Sequence, residues 1–479
     1  MRIKMLGGNT KDEIERRLRV VATAGKLSRS EGTVTQVYDS NYDYDANLKL
    51  AKCVVGYGHK SISEHDYIVF ALEDVTPIVE QTIIGYRLTS FTIKSRRNVD
   101  FRNVGFYIPD FHDKDGNVLS NNQELKDIYI KYMQSLFNKY GDLVDEELPI
   151  EDCRYILPYS YHSNIIMGCD ANELLNMASD LLYGKVSNII ELHELGLTLK
   201  NMIDEYIPYL SKALDNEGKK DYNNDQFIFL DKAFEKTNVK QNVLLKQAKM
   251  TSYDKLADWK VCCNVIANRY NISYDDAEEV LHQISEENPE IKMEIINALK
   301  NSKHQRELEQ VMYSFEMPIS LAVLTHITRH RMHSLLVPDF VPMWNLENYI
   351  SPSSVIKDHK EEYEEIFANN KIMCDSFKDQ GVREEDLVYF YLSGNACNIR
   401  TTMNARNLEW ISRMRCCNKA QWEIRKLVKE CVKQAKDVNK CLGALYGPTC
   451  EVLGYCPEGK DSCKNRGVVV KKLTREDSK

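Results

Sequence analysis

The chain has 479 residues, of which 43% are apolar and 28% charged, with a formal net charge of -8. That length exceeds one ordinary core and points to two domains or three, and the composition is that of a globular chain rather than a disordered one. The acidic balance argues against a general nucleic-acid surface, so any anion site must be local.

The opening "MRIKMLGG" lacks the apolar core of a signal peptide, and no run approaches the ~20 apolar residues of a membrane span, so a cytoplasmic chain is expected. From Asp45, "DANLKLAKCVVGYGHKSISEHDYIVFALEDVTPIVEQTIIGYRLTS" reads as a helix, a His-x4-Glu pair (His59 and Glu64), an alternating strand, and an apolar helix ending in Arg87-x-x-Ser90. A long helical region, "ANELLNMASDLLYGKVSNIIELHELGLTLKNMIDEYIPYLSKAL", follows. The polar, turn-rich "DNEGKKDYNNDQ" from Asp215 reads as a linker.

The same order then recurs. "NPEIKMEIINALKNSKHQRELEQVMYSFEMPISLAVLTHITRHRMHS" from Asn288 carries His304 and Glu309, a strand and an apolar helix. His304 lies 245 residues after His59, and Arg331 lies 244 after Arg87. An offset held over some 45 residues is the mark of an internal duplication. The chain therefore divides into a first copy (1–215), a linker (216–237), a second copy (238–449) and a cysteine-containing tail (450–479). Most of the fourteen cysteines are scattered in helix-like segments and read as buried reduced thiols. Cys450, Cys456 and Cys463 are spaced more widely than the CxxC pairs of structural zinc sites; no metal is expected, and these three thiols are the alternative.

Chemistry concentrates at Arg329-His330-Arg331. Cations at a helix end complement its dipole. Here apolar residues flank them on both sides, which predicts a cleft, and two guanidinium groups in a cleft call for an anion such as phosphate. Trp410 and Trp422 fall at helix positions where core packing is the ordinary role.

With "GYGHKSISEH", "RYILP" from Arg154, "MNARNLEWISRMR" and "KAQWEI", the "RHR" run resembles the flavin-dependent thymidylate synthases, whose signature is RHRxxSxNExSxRY. The resemblance implies an α+β fold: two tandem synthase-like domains, each a small, mainly antiparallel sheet packed with long helices. It implies FAD as cofactor, dUMP and methylenetetrahydrofolate as small-molecule substrates, and NADPH as reductant, with neither nucleic acid nor membrane as partner. By the same resemblance, His59, Ser61, Glu64, His304, Glu309, Arg329, His330, Arg331, Asn404 and Arg406 contact the cofactor. Arg87, Ser95, Arg97, Arg154 and Arg415 contact the nucleotide, and Arg331 and Arg415 serve catalysis.

Neither copy holds the whole signature. The second keeps Arg329, His330, Arg331 and Ser334 but reads "LLVPDFVP" afterwards; the first has Gly85-Tyr86 for Arg-His but keeps Arg87, Ser90, Ser95 and Arg97. Arg154 faces Val388 in the second copy, while Asn404, Arg406 and Arg415 face Asp170, Asn172 and Leu181 in the first. The losses are complementary. They suggest composite sites built from both copies, in a homodimer standing for the tetramer of the resembled family. The alternatives are an enzyme modifying carbon 5 of another pyrimidine nucleotide and a catalytically silent homologue.

Overall fold

The run "YIVFALEDV" turns alternate side chains inward, with Ile68, Phe70, Leu72 and Val75 buried, and forms a strand over Tyr67–Val75. The computed structural model describes residues 1–220, 228–300, 302–459 and 462–463. Its strands are β1 (Arg2–Met5), β2 (Tyr67–Val75), β3 (Ser90–Ile93), β4 (Ser163–Asp170), β5 (Lys249–Tyr253), β6 (Met312–Ser320), β7 (Ser334–Leu336) and β8 (Ala396–Asn404). Among its helices are α1 (Lys11–Leu27), α2 (Tyr44–Gly56), α3 (Pro77–Gly85), α4 (Asn122–Asp145), α5 (Ala171–Tyr183), α6 (Ile190–Tyr206), α7 (Ala257–Tyr270), α8 (Leu321–Thr328), α9 (Ser353–Asp379), α10 (Ala405–Arg415) and α11 (Trp422–Val438).

Two antiparallel four-stranded sheets result, ordered β1-β2-β4-β3 and β5-β6-β8-β7. The registers repeat as well as the order. Met5 pairs with Phe70 and Met250 with Phe315; Tyr67 pairs with Asp170 and Met312 with Asn404. The duplication read from the sequence is thus a duplication of topology.

The chain forms two compact units, one of residues 1–241, 340–347 and 351–394, the other of residues 242–339, 348–350 and 395–479. The sequence copies and the compact units divide the chain differently, because α9 and the segment after it, which belong to the second copy, group with the first unit. The reason lies in their contacts within that unit. Tyr159 donates its N–H to the carbonyl of Tyr391 at 2.7 Å, and Ser393 donates to that of Leu157 at 2.8 Å. Pro158 and Leu392 form an antiparallel bridge between them. In the duplicated numbering 157 answers to 391, 158 to 392 and 159 to 393. Equivalent segments therefore pair with each other, as they do across a two-fold axis between identical subunits. Tyr132 of α4 donates to Asn370 of α9 at 3.1 Å, and Phe111 packs edge-on against Phe377. Of the expected linker, residues 221–227 lie outside the described residues, as do residues 460–461 and 464–479 of the tail.

One local device recurs in both units. The apolar helices α3 and α8 are buried along their length, α8 from Leu321 to Ile327 without interruption. Each such side chain contributes on the order of 1.5–3 kcal/mol through burial, but a buried helix start also leaves backbone N–H groups to satisfy. A buried glutamate does this. Glu191 of α6 accepts from the backbone N–H of Thr76 at 3.0 Å and from its hydroxyl at 2.6 Å. Glu423 of α11 accepts from the N–H and hydroxyl of Ser320, both at 2.7 Å. Tyr389 also donates to Glu191, at 3.3 Å.

Burial pushes the Glu191 carboxyl up from 4.5 to about 7, against the pull of the Thr76 hydrogen bonds. Between those values the folded chain keeps a proton that the unfolded chain has lost, so this group's contribution to stability falls as pH rises through the window. Glu191→Gln retains an acceptor for Thr76 and removes the titration. Relative to the variant, the natural chain loses on the order of 2–3 kcal/mol between pH 5 and pH 8. Urea denaturation of both chains at the two pH values checks this, and a difference that does not change with pH would contradict it.

Candidate functional site

In the second unit, the clamped helix α8 delivers Arg329 at its C-cap and turns through His330 and Arg331 into the edge strand β7. The turn is solvated at its start: Arg329 is exposed, while His330 and Arg331 are half-buried. The expectation of a cleft enclosing all three is corrected for Arg329, which sits where a cation complements the helix C-terminus. His333, which sequence reasoning passed over, anchors the turn. It is buried, its Nδ1 lies 2.5 Å from the Thr401 hydroxyl of β8, and its Nε2 lies 3.3 Å from the Ile327 carbonyl at the end of α8.

Helix α10 crosses the same turn. Asn404 caps it by accepting from the N–H of Asn407 at 2.9 Å, and the Asn407 amide donates to the Met332 carbonyl at 2.7 Å. From its last residue, Arg415 donates Nε–H to His330 Nε2 at 3.0 Å. That nitrogen therefore carries a lone pair, and the imidazole is neutral. Burial, and then the Arg415, His333 and Arg329 charges, push the His330 pKa down to about 3. Arg406, at the other end of α10, pairs with Glu309 at 2.5 Å. The two arginines nine residues apart thus serve different partners. The result is a turn and a helix end that gather Arg329, Arg331 and Arg415 around an uncharged ring.

Trp410 corrects an expectation. It is 59% exposed, because Leu408, Glu409, Ile411 and Ser412 occupy the buried face of α10. Trp422, at the first residue of α11, is half-buried. His304 is exposed before the short turn that carries Glu309.

The first unit gathers a different set. Arg154 is buried; its Nε donates to the Glu151 carbonyl at 3.0 Å, and its buried Nη2 has no hydrogen-bond partner among the described residues. Burial, with the nearby Arg96 cation adding to it, pulls Arg154 below the usual arginine range. Arg97 Nε lies 2.5 Å from the Glu151 carboxylate, and its N–H lies 3.4 Å from the Ser95 hydroxyl. Ser95, Arg97 and Arg154 are thus brought to one loop cluster. Sequence reasoning missed Arg96, which is buried, ion-paired with Glu80 of α3, and 5.4 Å from the centre of the Tyr161 ring. The only signal for it was a carboxylate inside a largely apolar helix.

His59, Ser61 and Glu64 are exposed around the short helical turn before β2, with Glu64 accepting from Asn172 at 3.3 Å. Arg87 is exposed after α3. All fourteen cysteines are free thiols, and burial pushes Cys153, Cys169, Cys262 and Cys374 up to about 12. Cys450, Cys456 and Cys463 are half-buried, and among the described residues no three His, Cys, Asp or Glu side chains are grouped to hold a metal ion. No described helix is long and apolar enough to cross a membrane.

Against known proteins, the family described as thymidylate synthase complementing protein matches residues 12–185 and again 256–439. A flavin-dependent thymidylate synthase of Clostridium tetani is 30% identical over 222 residues, covering 42% of this chain and 87% of that protein. One from Geobacter sulfurreducens is 32% identical over 158 residues, covering 33% and 65%. The crystal structure of Thymidylate Synthase X from Helicobacter pylori, with FAD and dUMP, is 16% identical with a TM-score of 0.32, over 46% of this chain and 100% of that one.

The Arg415 to His330 bond has a spectroscopic consequence. The ring protons of His330, resolved by histidine labelling and assigned with a His330→Gln variant, are expected to hold one chemical shift from pH 8 down to pH 5. Titration near the ordinary value of 6.5 would mean that the ring is not buried against the guanidinium.

Proposed function

This chain belongs to the family of flavin-dependent thymidylate synthases in both of its halves, and from that premise we propose that it converts dUMP to dTMP by reductive methylation. FAD is the cofactor, methylenetetrahydrofolate donates the carbon and NADPH supplies the reducing equivalents. The observation that carries the nucleotide half of this reading is Arg154, a buried guanidinium whose Nη2 finds no acceptor among the described residues. A buried unpaired donor on a cation is costly to fold, and a phosphate oxygen offset by its own charge is its natural complement.

The donor set of the second unit suits FAD. Arg329 and Arg331 offer forked donors to a diphosphate, and Arg415 is held in place by His330. Flavin, when bound, supplies the hydride that completes the methyl group. The chain's own residues do the rest. Arg154, Arg97 and Ser95 hold the uridylate. Arg331 and Arg415 present fixed charge to the pyrimidine carbonyls, polarising carbon 5 so that it takes up the methylene unit and releases its proton to solvent. A neutral His330 accepts from Arg415 and holds it in place, whereas an imidazolium would lack that acceptor and repel the guanidinium. The high pKa values of the buried thiols agree with chemistry that uses no cysteine nucleophile.

We propose further that the sites are composite, with flavin contacts from the second copy and nucleotide contacts partly from the first. The homodimer then stands for a tetramer. Its place in the cell is the cytoplasm.

The assay is tritium release from carbon 5. The expected result is release from labelled dUMP that depends on methylenetetrahydrofolate and FAD, with little from UMP. Arg154→Met is expected to raise KM for dUMP by roughly 30-fold, the loss of one charged hydrogen bond of about 2 kcal/mol. Release from UMP in preference to dUMP would assign another nucleotide. Bound flavin with no release from either would make the chain a silent homologue.

A further inference from the structure

We infer that each chain holds one flavin, not two, because the first unit's counterpart of the cationic turn is closed by an acidic latch. This rests on the flavin reading above and adds to it.

The two turns occupy the same place in the same topology. Gly85-Tyr86-Arg87 follows α3 into β3 as Arg329-His330-Arg331 follows α8 into β7, and α5 lies where α10 lies. Contacts join turn to helix in both units, at equivalent helix residues for Asn407 and Glu173 and one residue apart for Arg415 and Asp180, but their chemistry is reversed. In the second unit His330 accepts from a guanidinium, Arg415, at 3.0 Å. In the first, Tyr86 donates its hydroxyl to a carboxylate, Asp180, at 2.6 Å. In the second unit the Asn407 amide donates to the carbonyl of Met332. In the first, the Glu173 carboxylate accepts from the backbone N–H of Leu88 at 3.2 Å. The backbone of the turn thus offers its carbonyl to the helix in one unit and its N–H in the other.

Charge follows the same reversal. Arg329, Arg331, Arg406 and Arg415 in the second copy correspond to Gly85, Arg87, Asn172 and Leu181 in the first. Asn404, Asn407 and Met414 correspond to Asp170, Glu173 and Asp180. Four guanidiniums become one, and three carboxylates appear where there were none. Asp170 and Glu173 are bound into the start of α5, where Asp170 caps the helix by accepting from the Glu173 N–H at 2.8 Å. A diphosphate brought to this turn meets like charge at the helix start and, at Asp180, a carboxylate already bonded to the tyrosine. The Leu181 side chain, fully buried, has no donor to offer.

The test is the flavin content of the full-length chain. Protein is saturated with FAD, freed of excess, and denatured to release flavin for absorbance measurement against chain concentration. The expected ratio is one per chain, lost in Arg331→Ala and kept in Tyr86→Phe with Asp180→Asn. A ratio of two, or a ratio of one that survives Arg331→Ala, would overturn the inference while leaving the flavin reading intact. A ratio of zero in the natural chain would instead overturn the flavin reading itself.

Discussion

A carboxylate buried against the first turn of a buried helix is the constraint on which the rest of this structure depends. Glu423 grips both polar groups of Ser320, and Glu191 grips both of Thr76. Along its length α8 carries no Asp, Glu, Lys or Arg, and α3 carries one such residue, Glu80, which is paired with Arg96. Their start is where direction and register can be set. Because α8 is short and buried throughout, fixing its start also fixes its end, and its end is the Arg329–Arg331 turn. His333 then ties that end to β8. The site cations are therefore exposed or half-exposed side chains on a rigid mount, which is what positioning a charged ligand requires.

The same mount in the first unit carries different chemistry. Its clamp, helix, turn and strand are kept, while the charges on the turn are exchanged for a tyrosine and carboxylates. The frame of the first copy instead supports Arg96 and Arg154, in a region where the second copy has Phe340 and Val388. Glu80, buried within α3, neutralises Arg96 and has Leu324 as its counterpart. The two copies thus differ in where their charged residues lie, while the strand order is the same in both. In a homotetramer one sequence must serve every role at once. A fused pair is free of that demand, and the symmetric pairing of residues 157–159 with 391–393 in the first unit preserves the contact that identical subunits would make.

Much of this was legible in the sequence. The offset of the His-x4-Glu pairs, the alternating runs and the apolar helices ending in Arg-x-x-Ser gave the repeat and one strand of each sheet, because alternation and helical spacing are written over many residues; the sheets themselves were implied by the family resemblance. The site cations stood out because charge beside apolar runs is unusual. What escaped were solitary polar residues whose role depends on a partner distant in the chain: Glu191 and Glu423, His333, and the Arg96–Glu80 pair. Trp410 escaped for the opposite reason. On α10 the buried face is filled by Leu408 and Ile411, and by Glu409, which is ion-paired with Arg413, so the large ring is turned outward. Nor could spacing show that α9 groups with the first unit, since the long segment between β7 and β8 finds its packing partners in the other copy.

The central claim is that the two copies have divided one active site's work, flavin to the second and uridylate phosphate to the first. A crystal structure of the chain with FAD and dUMP bound tests it most directly. The account predicts the flavin diphosphate against the Arg329–Arg331 turn and the nucleotide phosphate on Nη2 of Arg154. A flavin seated at Gly85–Arg87, or a phosphate bound wholly by second-copy residues with Arg154 Nη2 still unengaged, would contradict it.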